Sequence, residues 1–137
     1  MHSIKSIYTI ALSALMLIGY ASTAMSSEIA RVTGTLTYPR HAALPPDAVV
    51  YITLVDVSPR QDASGDIIAR QTITNPGQIP IPFELKYNLA RINSKYAYAI
   101  QAQITVKGKL LFRNTSPYPV ITRGNPNNID VIVNLAK

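Results

Sequence analysis

The 137-residue chain contains no cysteine, which excludes disulfide bonds, thiolate zinc sites, iron–sulfur ligation and cysteine nucleophiles. It has two histidines, His2 and His41, so a multi-histidine metal site or a conventional histidine-dependent dyad is hard to build. Charged residues are also scarce, at 15%, whereas apolar residues make up 47%, and this balance argues against intrinsic disorder. The length corresponds to one domain with a single core.

The net charge of +6 comes from cations that are spread along the chain, without a basic run. The densest basic stretch is Lys107-Gly108-Lys109. Nucleic-acid binding requires a clustered basic face, often with stacking aromatics, and the aromatic residues here mostly fall on the apolar phase of predicted strands. We therefore predict no nucleic-acid partner, and at most a weak attraction to anionic envelope polymers or lipid headgroups.

The N-terminus has the three parts of a secretory signal peptide. A positively charged start precedes a short apolar stretch over Ile7–Ile18, and small residues follow, of which Ser22 and Ala24 predict cleavage after Ala24. The apolar stretch is shorter than the roughly 20 residues that a membrane-spanning helix needs. We predict a signal peptide over 1–24, a mature domain over 25–137 and no membrane span after cleavage; an uncleaved anchor is the alternative.

One position inside the signal bears on function. Leu17-Ile18-Gly19 is similar to the lead-in of a bacterial lipoprotein signal, in which the next residue is a cysteine whose thiol receives diacylglycerol. The next residue here is Tyr20, and its phenol cannot replace a thiol in that reaction. Two interpretations stay open: an ordinary signal peptide, or a lipoprotein signal that has lost its lipid acceptor.

From residue 29 onward the apolar residues recur with a period of two, which predicts strands and not helices. Turn clusters rich in Pro, Gly, Asn and Asp separate the apolar segments, and residues 89–95 could form at most one helical turn. We predict an all-β, single-domain antiparallel β-sandwich of seven or eight short strands, or a small barrel, preceded by an N-terminal signal helix. The predicted strands cover 32–38, 48–57, 67–73, 79–87, 96–106, 110–113, 119–122 and 129–135.

Two prolines predict the place of one strand in the sheet. Pro80 and Pro82 lie two residues apart in the strand predicted over 79–87. Because backbone N–H groups point alternately to the two neighbouring strands, both prolines remove donors from the same side. A central strand would lose two ladder bonds, so the pattern predicts an edge strand whose proline side faces solvent and resists strand addition. A partner is expected to engage side chains or the opposite edge.

No motif nominates an active site, and we predict no enzymatic activity, no cofactor and no metal. His41 lies in a loop without a matching nucleophile or carboxylate, so we interpret it as a solvated histidine. Asp62 and Asp66 flank Gly65 but lack the full calcium-loop pattern and its terminal Glu. Asn114-Thr115-Ser116 matches a glycosylation acceptor, which has no meaning if the source is bacterial. The remaining acids are scattered and predict no paired-carboxylate chemistry: Asp47, Asp56, Glu84 and Asp130.

Several segments resemble the YbaY/YscW family of bacterial envelope lipoproteins, in order from Ala30 to Leu135. The most specific are Leu44-Pro45-Pro46-Asp47-Ala48 and Gly77-Gln78-Ile79-Pro80-Ile81-Pro82-Phe83. The resemblance implies a β-sandwich without catalysis, and the best understood members are pilotins, which bind an outer-membrane secretin subunit and escort it to assemble a type III secretion ring. The chain departs from the family at the lipid-bearing cysteine, which is Tyr20 here, so a pilotin of this kind would act without its own acyl chains.

We therefore expect an exported, non-enzymatic protein of the periplasm or the outer-membrane surface that works as a binding or chaperone-like module. Three alternatives stay open: a pilotin-type accessory for secretin assembly, a cell-envelope carbohydrate-binding module, and an enzyme of unrecognised type. The expected partner is another envelope protein, a secretin-like one included, and the sequence names no small-molecule ligand.

Overall fold

The structure is a computed structural model that describes residues 28–39, 43–59 and 65–136. Within those ranges, no helix combines the length and the apolar character required to cross a membrane. Several predicted features lie outside the described residues: the signal peptide over 1–24 with Tyr20, Ser22 and Ala24, and the loop residues His41 and Asp62. The signal helix, the cleavage position and the boundary of the mature domain therefore stay predictions.

The described chain forms nine strands and a single turn of 3-10 helix at Leu89–Arg91. The strands are β1 (Ile29–Thr37), β2 (Ala48–Asp56), β3 (Ile67–Thr74), β4 (Ile81–Asn88), β5 (Tyr98–Val106), β6 (Lys109–Arg113), β7 (Pro119–Val120), β8 (Asn128–Ile132) and β9 (Asn134–Leu135). Each predicted strand has an observed counterpart, and the one predicted over 129–135 is divided into β8 and β9.

The strands pair into two sheets, which confirms the predicted β-sandwich. The small sheet has the order β4-β1-β8, and the large sheet has the order β3-β2-β5-β6-β9, with β7 also paired to β5. One feature differs from the predicted antiparallel arrangement, because β8 pairs with β1 in parallel. The loop over residues 121–127 returns the chain to the middle of β1, where the Thr33 N–H donates to the Asn127 carbonyl at 2.9 Å. From there β8 runs in the same direction as β1, with Asn128 paired to Thr33 and Ile132 paired to Thr37.

The core lies between the two sheets and is built by the inward phase of each strand. Tyr38 and Phe112 stack across it, with ring centroids 4.8 Å apart and an interplanar angle of 24°. Burial raises the pKa of the Tyr87 phenol above its ordinary value, because loss of water disfavours the phenolate. Fully buried members of the core include Val32, Leu36, Val50, Ile52, Leu54, Ile81, Leu85, Tyr98, Ile100, Ile104, Val120 and Val131. Each such side chain contributes about 1.5–3 kcal/mol by leaving water.

Along one side of the sandwich, the edge strands of the two sheets lie next to each other, and side chains close the seam between β3 and β4. The Gln71 side-chain oxygen accepts a hydrogen bond from the Glu84 N–H at 2.9 Å. The Arg91 guanidinium donates to the carbonyls of Ile68 and Ile67 at 3.1 and 3.4 Å. Because side chains satisfy these backbone groups, the seam offers few free donors or acceptors to an added strand.

The predicted proline-bearing strand corresponds to β4, which lies at the end of the small sheet. The Glu84 N–H points away from β1 toward Gln71, so the backbone nitrogen of Pro82, two residues earlier, faces the same way. Pro80 lies before the strand, in the bend that contains the cis Ile79–Pro80 peptide bond. Only Pro82 is therefore in a position to remove a donor from this edge, and its blocking effect stays a prediction.

We expect Pro82→Thr to increase self-association, because it restores a backbone donor on the outer side of an edge strand. Sedimentation velocity across a concentration series would show the change as a growing dimer fraction, with the free energy of unfolding altered by about 0.5 kcal/mol or less. Pro46→Thr, which replaces an exposed proline in a turn, is the matched control. A Pro82→Thr variant that stays as monomeric as the control would show that this proline does not protect the edge.

Candidate functional site

The outer face of the large sheet, which is turned away from the core, carries a groove of about 560 Å³ that we call the outer groove. Its floor is formed by β2 and β5, one wall by β3, and the other wall by the end of β6 with the loop that follows. The residues that line it are Tyr51, Thr53, Val57, Ile67, Arg70, residues 99–103 and residues 113–117.

Strand register explains why these residues share one face. Neighbouring residues in adjacent strands point to the same side of a sheet, and alternate residues along one strand share that side. Tyr51 is paired with Gln103, and Thr53 with Gln101, in the antiparallel ladder of β2 and β5. The inward phase of the same two strands builds the core, so the outward phase is free to present a surface.

One end of the outer groove is apolar. Val55 and Ala99 are paired on the outer face, and each is only 4% exposed. Beside them, Val57 and Ile67 are 41% and 45% exposed, which is high for large aliphatic side chains. Covering partly exposed aliphatic groups removes apolar surface from water and so lowers the free energy. This end can therefore bind an apolar side chain from a partner.

The wall after β6 is held in place by one asparagine. The Asn114 side-chain oxygen accepts a hydrogen bond from the Ala102 N–H at 2.9 Å, and its amide nitrogen donates to the Ser116 carbonyl at 2.9 Å. The Asn114 side chain thus replaces the backbone acceptor that β5 would otherwise find in β6, at the point where β6 ends. It also holds the following loop beside β5. This gives the Asn114-Thr115-Ser116 motif a structural role in the groove wall.

The electrostatic character of the outer groove comes from two arginines on opposite walls, Arg70 of β3 and Arg113 of β6. None of the described residues that line the groove is acidic. Gln101 and Gln103 lie on β5 between the two walls, and both are exposed. The groove therefore combines an apolar end, amide groups along the floor and positive charge at the walls.

Two smaller cavities lie at the ends of the sandwich. One, of about 530 Å³, is lined by residues that include Asp56, Asp66 and Arg91. The other, of about 320 Å³, is lined by residues 44–46 and 75–78, which include parts of the two most specific segments of the family resemblance. These segments thus meet at one end of the sandwich and not in the outer groove.

Of the acidic residues, Asp56 and Asp66 line one cavity together, whereas Glu84 and Asp130 have their partners elsewhere. Asp56 is buried, and its carboxylate accepts a hydrogen bond from the Ser58 N–H at 2.9 Å. Glu84 pairs with Arg31 at 3.1 Å, and Asp130 accepts a hydrogen bond from the Thr35 hydroxyl at 2.7 Å. In the part of the chain that the structure describes, no group of three or more His, Cys, Asp or Glu residues could hold a metal ion.

Comparison with known proteins gives the family. Residues 27–133 match the model of the type III secretion system lipoprotein chaperone family, YscW. The chain belongs to this family. The resemblance seen in the sequence is thereby confirmed, and the family is a chaperone class and not an enzyme class.

Two relatives add detail. The chain is 37% identical over 94 residues to the uncharacterized lipoprotein YbaY of Escherichia coli, a match that covers 68% of the chain but only 49% of that relative. The chain thus spans about half the length of this relative. It is also similar to the solved structure of an alternative pilotin from the type II secretion system of Vibrio cholerae, with 35% identity and a TM-score of 0.74. That similarity covers 80% of this chain and 99% of the pilotin.

Proposed function

We propose that this protein is an exported, non-enzymatic accessory of the cell envelope that binds a segment of an outer-membrane secretin subunit in the outer groove. The observation that carries the proposal is the groove itself, a concave sheet face with partly exposed Val57 and Ile67 and a fixed polar wall. Its volume is about 560 Å³. Membership of a family of secretion chaperones and similarity to a pilotin support the choice of partner.

Binding on a face is favoured over strand addition because side chains satisfy backbone groups of edge strands on both sides of the sandwich. The seam of β3 and β4 is closed by Gln71 and Arg91. On the other side, the Tyr118 hydroxyl accepts a hydrogen bond from the Ile132 N–H at 2.9 Å and donates to the Ile132 carbonyl at 3.3 Å. A partner is thus better recognised by its side chains than by backbone pairing.

The predicted signal peptide supports a periplasmic location for this binding. Because Tyr20 stands where the family carries its lipid-bearing cysteine, we propose that the protein meets its partner without an acyl anchor of its own. It would then act as a periplasmic chaperone that holds a secretin segment, and transport of the subunit to the outer membrane would need a second factor.

Site-directed photo-crosslinking tests this proposal. A benzophenone amino acid placed at Gln101 or Gln103, on the groove floor, is expected to crosslink to a secretin encoded in the same genome when both proteins are expressed. The matched control places the same probe at Lys86, which is exposed on the outer face of the small sheet. Deletion of the protein is expected to lower the yield of heat-resistant secretin multimers. Crosslinks to secretin from Lys86 alone, or none from the groove, would refute the proposed site.

A further inference from the structure

We infer that the segment bound in the outer groove is acidic as well as apolar, and that Arg70 and Arg113 recognise two carboxylates on it. This inference rests on the proposed function, because it names the chemistry of the partner at the same groove. Its support does not depend on the family and comes from which arginines of this chain have partners within the structure.

The described residues include five arginines, and three of them have structural partners. Arg31 pairs with Glu84, and the guanidinium groups of Arg91 and Arg123 donate to backbone carbonyls, at 3.1 Å for Ile68 and 2.9 Å for Lys95. Arg70 and Arg113 make no ion pair or hydrogen bond with any described residue. Both of the unpartnered arginines line the outer groove.

The chemistry of the two side chains points to carboxylates. A guanidinium presents a planar fork of N–H donors that matches a carboxylate with two parallel hydrogen bonds, and it keeps its charge at all physiological pH values. Because no described acidic residue lines the groove, an incoming carboxylate would meet attraction from both walls and no local repulsion. Long-range electrostatic attraction also raises the rate at which an anionic partner reaches such a site.

Register sets the spacing of the two carboxylates. Arg70 is paired with Thr53, which is paired with Gln101, whereas Arg113 is paired with Gln103. The arginines are therefore three strand spacings apart across the sheet and two residues apart along it, so their Cα atoms lie about 15 Å from each other. Acidic residues about ten positions apart in a helical segment, or four to five apart in an extended one, would span this distance.

The apolar end orients the segment. Ile67 and Arg70 share the outward face of β3 because the register with β2 shifts by one residue between them, and Val57, which follows β2, lines the same groove. An apolar side chain placed against Val57 and Ile67 therefore has a carboxylate site next to it, at Arg70. The second carboxylate site, at Arg113, lies across the glutamines, whose amide groups can donate to and accept from a peptide backbone. An anionic polysaccharide would use the arginines but not the apolar end.

Peptide binding to the mature protein tests the inference. Overlapping synthetic peptides that tile the secretins of the same genome are labelled and titrated by fluorescence polarisation. The peptides that bind are expected to carry acidic residues at one of the two spacings. Arg70→Gln and Arg113→Gln are each expected to weaken binding about tenfold, and Arg70→Glu with Arg113→Glu to abolish it. Lys86→Glu with Lys107→Glu, the same charge change outside the groove, should leave the Kd within about twofold.

The outcomes separate this inference from the proposed function. Peptides that crosslink to a probe at Gln101 yet bind the arginine variants as tightly as wild type would overturn the inference and leave the proposed function intact. Absence of any peptide binding, together with absence of crosslinks from the groove, would overturn both. Binding of purified anionic envelope polysaccharide that depends on the arginines, with no peptide bound, would also overturn both. A glutamate-to-lysine exchange in the peptide that restores binding to Arg113→Glu would establish the pairing.

Discussion

Gly34→Ala is expected to lower the free energy of unfolding by about 3 kcal/mol or more, because no space exists for a methyl group at this position. Gly34 lies in the central strand of the small sheet, between β4 and β8. An added Cβ would overlap the carbonyl oxygen of Ile129, lie 2.8 Å from its carbonyl carbon and lie 3.0 Å from the tip of the Phe83 ring. The obstacle is mostly backbone, so a rotamer change cannot relieve it.

The expected structural result is loss of the parallel β1–β8 pairing, since moving Ile129 away from Gly34 separates the two strands. Gly108→Ala is the matched control, because Gly108 has open space around it and a φ of +77°. It should cost only the strain of a left-handed alanine, about 1–2 kcal/mol. Urea denaturation of the two variants measures the difference. Equal stability of the two would show that β8 can shift away from β1 without penalty.

The strand content of this protein could be predicted from its sequence because the two phases of each strand are chemically distinct. In β4, apolar Ile81, Phe83, Leu85 and Tyr87 alternate with exposed polar residues or proline, as a strand with one face in the core requires. The parallel pairing of β8 could not be predicted in this way. It depends on where the loop over residues 121–127 returns the chain, and alternation within a strand carries no information on direction.

The outer groove was missed for a related reason. Tyr51, Gln101 and Gln103 follow the ordinary pattern of a solvated outer face, so nothing in the local sequence distinguishes a binding surface from a bare one. Arg70 and Arg113 belong to different parts of the chain, and they become opposite walls only through the successive registers of β3, β2, β5 and β6. The conspicuous proline segments instead lie together at one end of the sandwich.

Phe112→Ala is expected to cost about 3–5 kcal/mol in the free energy of unfolding, the usual range for removing a buried aromatic ring. Phe112 is 5% exposed and stacks on Tyr38, which joins the end of β1 in the small sheet to β6 in the large one. It is also paired with Ile104 of β5 and Leu135 of β9. Its loss therefore leaves a cavity where both sheets and the last strand meet.

Phe112→Leu separates the loss of apolar volume from the loss of the stacked ring, and it should cost about 1.5 kcal/mol, since a buried aliphatic chain refills most of the space. Chemical denaturation of both variants checks the two values.

Substitution of Phe112 should also affect the outer groove, because Arg113 follows Phe112 directly and points to the opposite face of β6. If the Phe112 ring positions the groove wall that carries Arg113, Phe112→Leu will weaken peptide binding although Arg113 is unchanged. The control is Val32→Ala, a core substitution remote from β6, which will leave peptide binding unchanged. Equal binding by Phe112→Leu and wild type would show that the ladder with β5 alone holds Arg113 in place.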